Sequence, residues 1–175
     1  MLDYEPNNRA AGARLGGQRS YLSTTFVMEE FSIMSRTLPD EINEKRAENG
    51  KIYREAKAKG DYASAERALL ASWSLFPEPK YDWDSTRMFL KTVSELYLEW
   101  GKYSDAEKWA LNIFKSDLGP YDPMPYQLLG KIYLEAGQEE LARTNLIKAF
   151  EMGGRRFFAG ENPKYMKFIQ EQLRK

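Results

Sequence analysis

One piece of lettering that recurs at a fixed interval constrains this chain more than anything else in it. Tyr97, Gly101 and Ala106 stand at the same offsets as Tyr133, Gly137 and Ala142, 36 residues further on, and Gly60 with Ala65 opens a weaker first copy. In each copy the glycine closes one helical apolar pattern and the alanine lies inside the next, so the repeating unit is a pair of helices joined by a tight turn. A unit this small cannot bury its apolar face alone, whereas stacked copies bury it against one another. The expected fold is therefore all-α, an α-solenoid of about three helix-turn-helix repeats.

Composition removes most kinds of chemistry. The chain has no cysteine and no histidine, which excludes disulfides, thiolate nucleophiles, imidazole bases and the usual zinc ligands. An enzyme would have to work with carboxylates, lysine and tyrosine alone. Pairs such as Asp82 with Asp84 and Glu139 with Glu140 sit where helix starts and solvation account for them. No loop alternates Asp and Asn as a calcium site requires. Neither catalysis nor a metal or other cofactor is expected. Lys and Arg number 26, and so do Asp and Glu, so no net field draws the molecule to nucleic acid or to an anionic membrane. Arg155-Arg156 beside Phe157-Phe158 is too small a patch to reverse that, and the two rings are expected to seal the last helix. No stretch reaches the roughly 18 apolar residues of a bilayer span, and the start of the chain lacks a signal pattern. The expected location is the cytoplasm.

With 175 residues, one domain with a sizeable core is expected. Residues 1–36 read as a flexible leader. Arg9, Arg14 and Arg19 suggest a targeting peptide but Asp3 and Glu5 argue against one, and a start at Met28 or Met34 would make the leader an extension. Within it, residues 21–36 carry enough Phe, Val, Ile and Met for a strand or a short helix covering the end of the stack. The repeat domain, 37–175, begins at Pro39-Asp40 with a helix to about Lys59, stopped by Gly60, and continues from about Tyr62 to Leu75 with Ala65, Ala68, Leu69 and Ser72 on the partner-facing side. After Pro77 and Pro79 the next helix runs from about Ser85, capped by Asp84 or Ser85, to Trp100. A fourth is entered near Ser104. Past Gly119, Pro120 and Pro123, "MPYQLLGKIYLEA" and "EELARTNLIKAFEM" flank Gly137. A last helix over 162–174, with Asn162 as cap and Pro163 in first position, should close the stack as a solvating cap.

The copies resemble the tetratricopeptide repeat (TPR), a helix-turn-helix unit of about 34 residues. The third copy is the best match, with Leu129-Gly130 at the close-packing pair, Tyr133 one turn on, Gly137 at the turn, and Ala142 and Ala149 at the helix crossing. The second has Ser94 for the glycine and Ile113 for the later alanine. The first keeps Gly60, Ala65 and the terminal Pro77. The resemblance covers about residues 46 to 154 and implies that the first helix of each pair lines a concave surface. The inward positions are Arg54 and Lys57, then Lys91, Glu95, Leu98 and Glu99, then Gln127, Lys131, Leu134 and Glu135. Within helices, Lys91 with Glu95 and Lys131 with Glu135 are spaced for i,i+4 pairs. The loops between pairs carry Tyr81, Trp83 and Tyr121, which are either connectors or rims that touch a partner.

Family members that grip the acidic tails of heat-shock chaperones do so with lysine, asparagine and arginine at set inward positions. Here those positions hold Gly50, Arg54, Glu95, Gln127 and Lys131, with no asparagine and with Glu95 opposing a carboxylate. That role is not expected. "LLASWSLFPEPKYDWDS", "LLGKIYLEAGQ" and "GGRRFFAGENPKYMKFIQ" together look like small bacterial TPR proteins that serve as immunity proteins to polymorphic toxins. This resemblance implies a protein-binding module that neutralises a cognate toxin domain. The alternative is a general TPR scaffold or assembly factor. Self-association is neither excluded nor indicated by the letters.

Overall fold

The computed structural model describes residues 36–116, 118–119 and 121–174. Expectations for the leader, including the segment before Arg36 and the starts at Met28 and Met34, lie outside the described residues. Within them the protein is all-helical, with seven α-helices and no strand.

Three glycines make three copies of one turn. Gly60, Gly101 and Gly137 adopt φ of 72°, 77° and 75°, the left-handed region that a residue with a Cβ enters at a cost. In each turn the glycine N–H donates to the carbonyl one residue before the last of the helix and the next N–H reaches back further: Gly60 to Lys57 and Asp61 to Ala56, Gly101 to Leu98 and Lys102 to Tyr97, Gly137 to Leu134 and Gln138 to Tyr133. This double bond pattern satisfies carbonyls that the helix end leaves open and reverses the chain. The result is three antiparallel pairs: α1 (Asp40–Ala58) with α2 (Tyr62–Ser74), α3 (Thr86–Glu99) with α4 (Tyr103–Asn112), and α5 (Met124–Glu135) with α6 (Glu139–Gly153). A seventh helix, α7 (Pro163–Gln172), lies against α6.

Inside each pair, small residues set how close the helices come. Ala65, Ala106 and Ala142, at one register, have 0% exposure. At Gly130 an added Cβ would stand 2.6 Å from Leu146 Cγ and 2.9 Å from the Leu146 backbone nitrogen. The same register in the second pair holds Ser94, whose hydroxyl donates to the Ala106 carbonyl across the crossing at 2.7 Å. A polar atom is thus accommodated in a fully buried seam because its partner is the facing backbone. In the first pair that register is Tyr53, half-buried, and a cavity opens beside it.

Between pairs, two tyrosines act alike. Tyr97 of α3 donates to Glu66 of α2 at 2.5 Å, and Tyr133 of α5 donates to Glu107 of α4 at 2.8 Å. Each glutamate directly follows a crossing alanine, so the bond repeats with the repeat. Burial first, then the facing glutamate, pushes the Tyr133 phenol up to about 12, and the same causes raise Tyr97. The joint between the first two pairs is aromatic. Trp73 has Phe76, Phe89, Trp109 and Tyr81 around it at centroid distances of 5.2, 5.7, 5.8 and 5.9 Å. Leu90, Leu96, Leu128, Ile132, Leu146 and Ile169 are among the fully buried side chains, each stabilising by about 1.5–3 kcal/mol.

Helix starts depart from expectation in two places. Ser85 does precede α3, but its side chain makes no cap bond; Ser85 Oγ accepts from Arg46 Nη1 at 3.2 Å instead. Asp84 Oδ1 accepts from the Arg36 backbone N–H at 3.2 Å while Asp82 pairs with the Arg36 guanidinium at 2.8 Å. These carboxylates tie the chain entering the repeat domain to the loop before α3. Ser104 lies inside α4, whose preceding residue is Lys102-Tyr103's lysine, without a side-chain cap. Asp61 and Asn162 do cap, accepting from the backbone N–H of Ser64 and Lys164 at 3.0 Å each. On α7, Tyr165 and Ile169 are buried, Met166 and Phe168 half-buried, and Leu173, beyond the helix end, is 55% exposed.

Candidate functional site

Helices α1, α3 and α5 turn one side each toward a row of three cavities. The first, about 410 Å3, lies between α1 and α3 and includes Arg46, Gly50, Tyr53 and Arg54 from α1 with Met88, Phe89 and Thr92 from α3. The second, about 350 Å3, is bounded by Arg87, Met88 and Lys91 of α3, Met124 and Gln127 of α5, and Asp122, Phe157 and Glu161. The third, about 400 Å3, takes Glu95, Leu98 and Glu99 from α3, Lys131 and Glu135 from α5, and Tyr103, Glu161, Asn162 and Tyr165. Met88 lines both the first and second, and Glu161 both the second and third. Neighbouring cavities thus share a wall residue, and the row makes one candidate groove.

Most inward positions named from the sequence border this groove: Arg54 in the first cavity, Lys91 and Gln127 in the second, Glu95, Leu98, Glu99, Lys131 and Glu135 in the third. Lys57 reaches across from α1 to Glu99 of α3 at 2.8 Å. Burial alone would lower the Lys57 pKa, but hydrogen bonds to Glu99 and Tyr53 outweigh it and raise the value. Leu134 is the exception, because it packs against both apolar clusters.

Lys91 and Glu95 form the expected i,i+4 pair at 3.0 Å, but Lys131 and Glu135 do not pair with each other. Lys131, 7% exposed, takes Glu161 at 2.8 Å and Glu95 at 3.7 Å. Glu135 binds Lys164 and accepts from the Tyr165 hydroxyl at 2.6 Å. Burial pushes Glu135 up, yet Lys164, Tyr165 and Lys131 together hold it below the usual carboxylate range. The segment before α7 brings Glu161, and the first turn of α7 brings Lys164 and Tyr165, to the α5 side chains, and these tertiary partners take the place of the local one. Nearby, Gln127 is 4% exposed and its amide donates to the Phe157 carbonyl at 3.2 Å. Lys91, Glu95, Lys131, Glu135 and Glu161 thus line the groove as paired, largely buried charges.

Of the three rim candidates, only Tyr121 stands out in solvent, 80% exposed. Tyr81 belongs to the Trp73 cluster and carries Lys115 Nζ 5.2 Å from its centroid. The indole N–H of Trp83 donates to the Pro77 carbonyl at 2.9 Å. Both rings serve the connector between the first two pairs. The groove also contains residues that the sequence reading did not pick out. Glu161, Asn162 and Tyr165 arrive from the C-terminal segment, Tyr103 from the second turn, and Arg46 with Met88 from positions outside the repeat's familiar register. Only the acidic-Asn-Pro-Lys-Tyr run marked any of them in advance, and as a cap.

Glu140 pairs with Arg143, and Asp82 and Asp84 are engaged at Arg36. Among the described residues no three carboxylates are grouped to hold a metal ion, and no helix is long and apolar enough to cross a membrane. Phe158 is buried against Phe150 while Arg155 and Arg156 are exposed. No protein-family model matches the sequence, and no curated protein matches it at a significant level.

Proposed function

We propose that the three pairs are TPR-like repeats forming a short α-solenoid closed by α7, and that the groove along α1, α3 and α5 binds a protein partner. The observation that carries this reading is the row of three adjacent cavities along α1, α3 and α5, which share Met88 and Glu161 as wall residues. A row of connected cavities with alternating apolar and charged walls suits an extended polypeptide better than a single small molecule. Rings bury area at low entropic cost, and mixed charges set register and on-rate.

The most specific form of this proposal is an immunity-type protein that binds and neutralises a cognate toxin domain in the cytoplasm. Its support is the resemblance of the 69–85, 128–138 and 153–170 segments to that group. The test is affinity capture from the native organism with mass spectrometry, using the full chain and its Glu99→Lys variant. Glu99 is exposed and its ion pair with Lys57 is worth at most about 1 kcal/mol, so the variant should fold. One stoichiometric toxin-like chain, captured by the wild type and lost with Glu99→Lys, is the expected result. Several partners from one assembly would point to the scaffold role instead. Capture unaffected by groove substitutions would overturn the groove as the binding surface.

A further inference from the structure

The cavity between α1 and α3 differs from the other two in charge. Its lining includes Arg46 and Arg54 and no carboxylate, whereas each of the others has acidic side chains beside its cations. Arg46 Nη1 donates only to neutral oxygens, Ser85 Oγ at 3.2 Å and Asn43 Oδ1 at 3.3 Å. Its guanidinium lies 4.3 Å from the Phe76 centroid and 5.7 Å from that of Phe89, and its Nε is shut from solvent with no hydrogen-bond partner. Burial pulls its pKa down, with no anionic neighbour opposing the shift. Arg54 lies two helical turns along, on the same side of α1. Its Nη1 rests over Gly50, 3.4 Å from where a Cβ would stand, and it enters no ion pair among the described residues.

A cation withdrawn from water is normally matched by an anion, because the desolvation it suffers is repaid only by a close opposite charge. Half-buried Arg46 is such a cation without its anion, and exposed Arg54 stands at the same cavity with no ion pair of its own among the described residues. The rest of the wall combines large apolar side chains, Tyr53, Leu69, Phe89 and the 53% exposed Met88, with Ser72, Ser85 and Thr92. Met88 also lines the next cavity, which places a second cavity in line for an extended chain lying here.

We infer that this cavity receives the side-chain carboxylate of a glutamate or aspartate, flanked by a large apolar residue, from an extended segment of the protein partner. The inference rests on the groove reading above and adds the chemistry of one anchor. The carboxylate lies between Arg46 and Arg54, where guanidinium forks give charge-assisted, geometrically selective bonds. The apolar neighbour covers Met88 and Phe89.

Three capped probes test it on the ¹⁵N-labelled full chain by NMR titration: acetyl-Leu-Glu-Leu-amide, acetyl-Leu-Gln-Leu-amide, and acetyl-Leu-Gln-Leu with a free terminal carboxylate. The Glu probe should bind about tenfold more tightly than the Gln probe, as expected for a charge-assisted pair in a sheltered site. Its shifts should centre on Gly50, Ser85, Phe89 and the Arg46 Nε–H. Arg54→Gln should reduce the Glu probe to the level of the Gln probe without moving the thermal midpoint. Equal binding of the Glu and Gln probes, preference for the terminal carboxylate, or shifts located elsewhere would each overturn the inference. The two readings fail separately in the capture experiment. Loss of the partner with Glu99→Lys but not with Arg54→Gln sinks the carboxylate anchor alone, and retention with both sinks the groove.

Discussion

Replacing Gly130 with alanine puts the close approach of α5 and α6 to a quantitative test. The new methyl would stand 2.6 Å from Leu146 Cγ, 2.8 Å from Cδ2 and 2.9 Å from the Leu146 backbone nitrogen. Leu146 is fully buried, so its side chain has no empty space to enter, and the nitrogen can retreat only if α6 moves. Alanine in a helix interior gains about 0.8–1 kcal/mol over glycine. Overpacking costs about 1–3 kcal/mol, and the upper half of that range applies where backbone is involved. The net expectation is a loss of about 1–2 kcal/mol, or roughly 2–8 °C in the thermal midpoint at this chain length. Gly50→Ala is the control, since its Cβ would meet only the end of the Arg54 side chain at 3.4 Å; it should gain up to about 1 kcal/mol. Urea unfolding followed by tryptophan fluorescence reads both. In a Leu146→Ala background, the Gly130→Ala penalty should shrink but not vanish, because the backbone contact remains. If Gly130→Ala is neutral or stabilising like Gly50→Ala, the two helices do not cross as closely as argued.

Other expectations follow from the bonds between and within pairs. Tyr133→Phe should cost about 1 kcal/mol through loss of the bond to Glu107. The Tyr133 phenol is raised in the folded state to about 12, so its stabilisation is complete below the unfolded value near 10 and is lost as pH climbs from there through the folded value. Urea midpoints between pH 8 and 12 should therefore fall less steeply in Tyr133→Phe than in the wild type, and parallel curves would contradict the assignment. Glu161→Gln leaves buried Lys131 with only the more distant Glu95 and should cost about 1–3 kcal/mol, whereas Lys131→Met should cost less than Glu161→Gln; the reverse order by denaturation would show that the network itself drives folding. Asn162→Ala should cost about 1 kcal/mol and speed amide exchange in the first turn of α7, with unchanged exchange counting against the cap.

Local rules made much of the fold legible before any coordinates. A glycine after a helical pattern specifies a left-handed turn because only its backbone enters that conformation cheaply, so Gly60, Gly101 and Gly137 marked the three reversals. Alanines at a constant offset marked the crossings, because a larger side chain there would hold the rods apart. Asn162-Pro163 marked the start of α7 through a cap and a ring that needs no N–H. The inward positions taken from the repeat resemblance include Arg54, Lys91, Glu95, Leu98, Glu99, Gln127, Lys131 and Glu135 of the groove lining, while the rest of that lining was not named in advance.

What the letters did not contain is which side chain meets which across the sequence. Ser85 has the chemistry of a cap, yet it takes Arg46 because α1 passes within reach. Lys131 has a glutamate four residues on, yet it binds Glu161 because the segment before α7 folds over α5. Trp83 and Tyr81 read as either connector or rim in a Pro-rich loop, and their contacts with Pro77 and Trp73 place them in the connector. The unmatched charge of Arg46 is visible only when both the rings around it and the lack of a facing carboxylate are known. Periodicity determines backbone reversals and facing surfaces because those depend on neighbours a few residues away. The choice of ionic and hydrogen-bond partners depends on three-dimensional distance and on competition among several eligible groups, and only the assembled tertiary structure decides that.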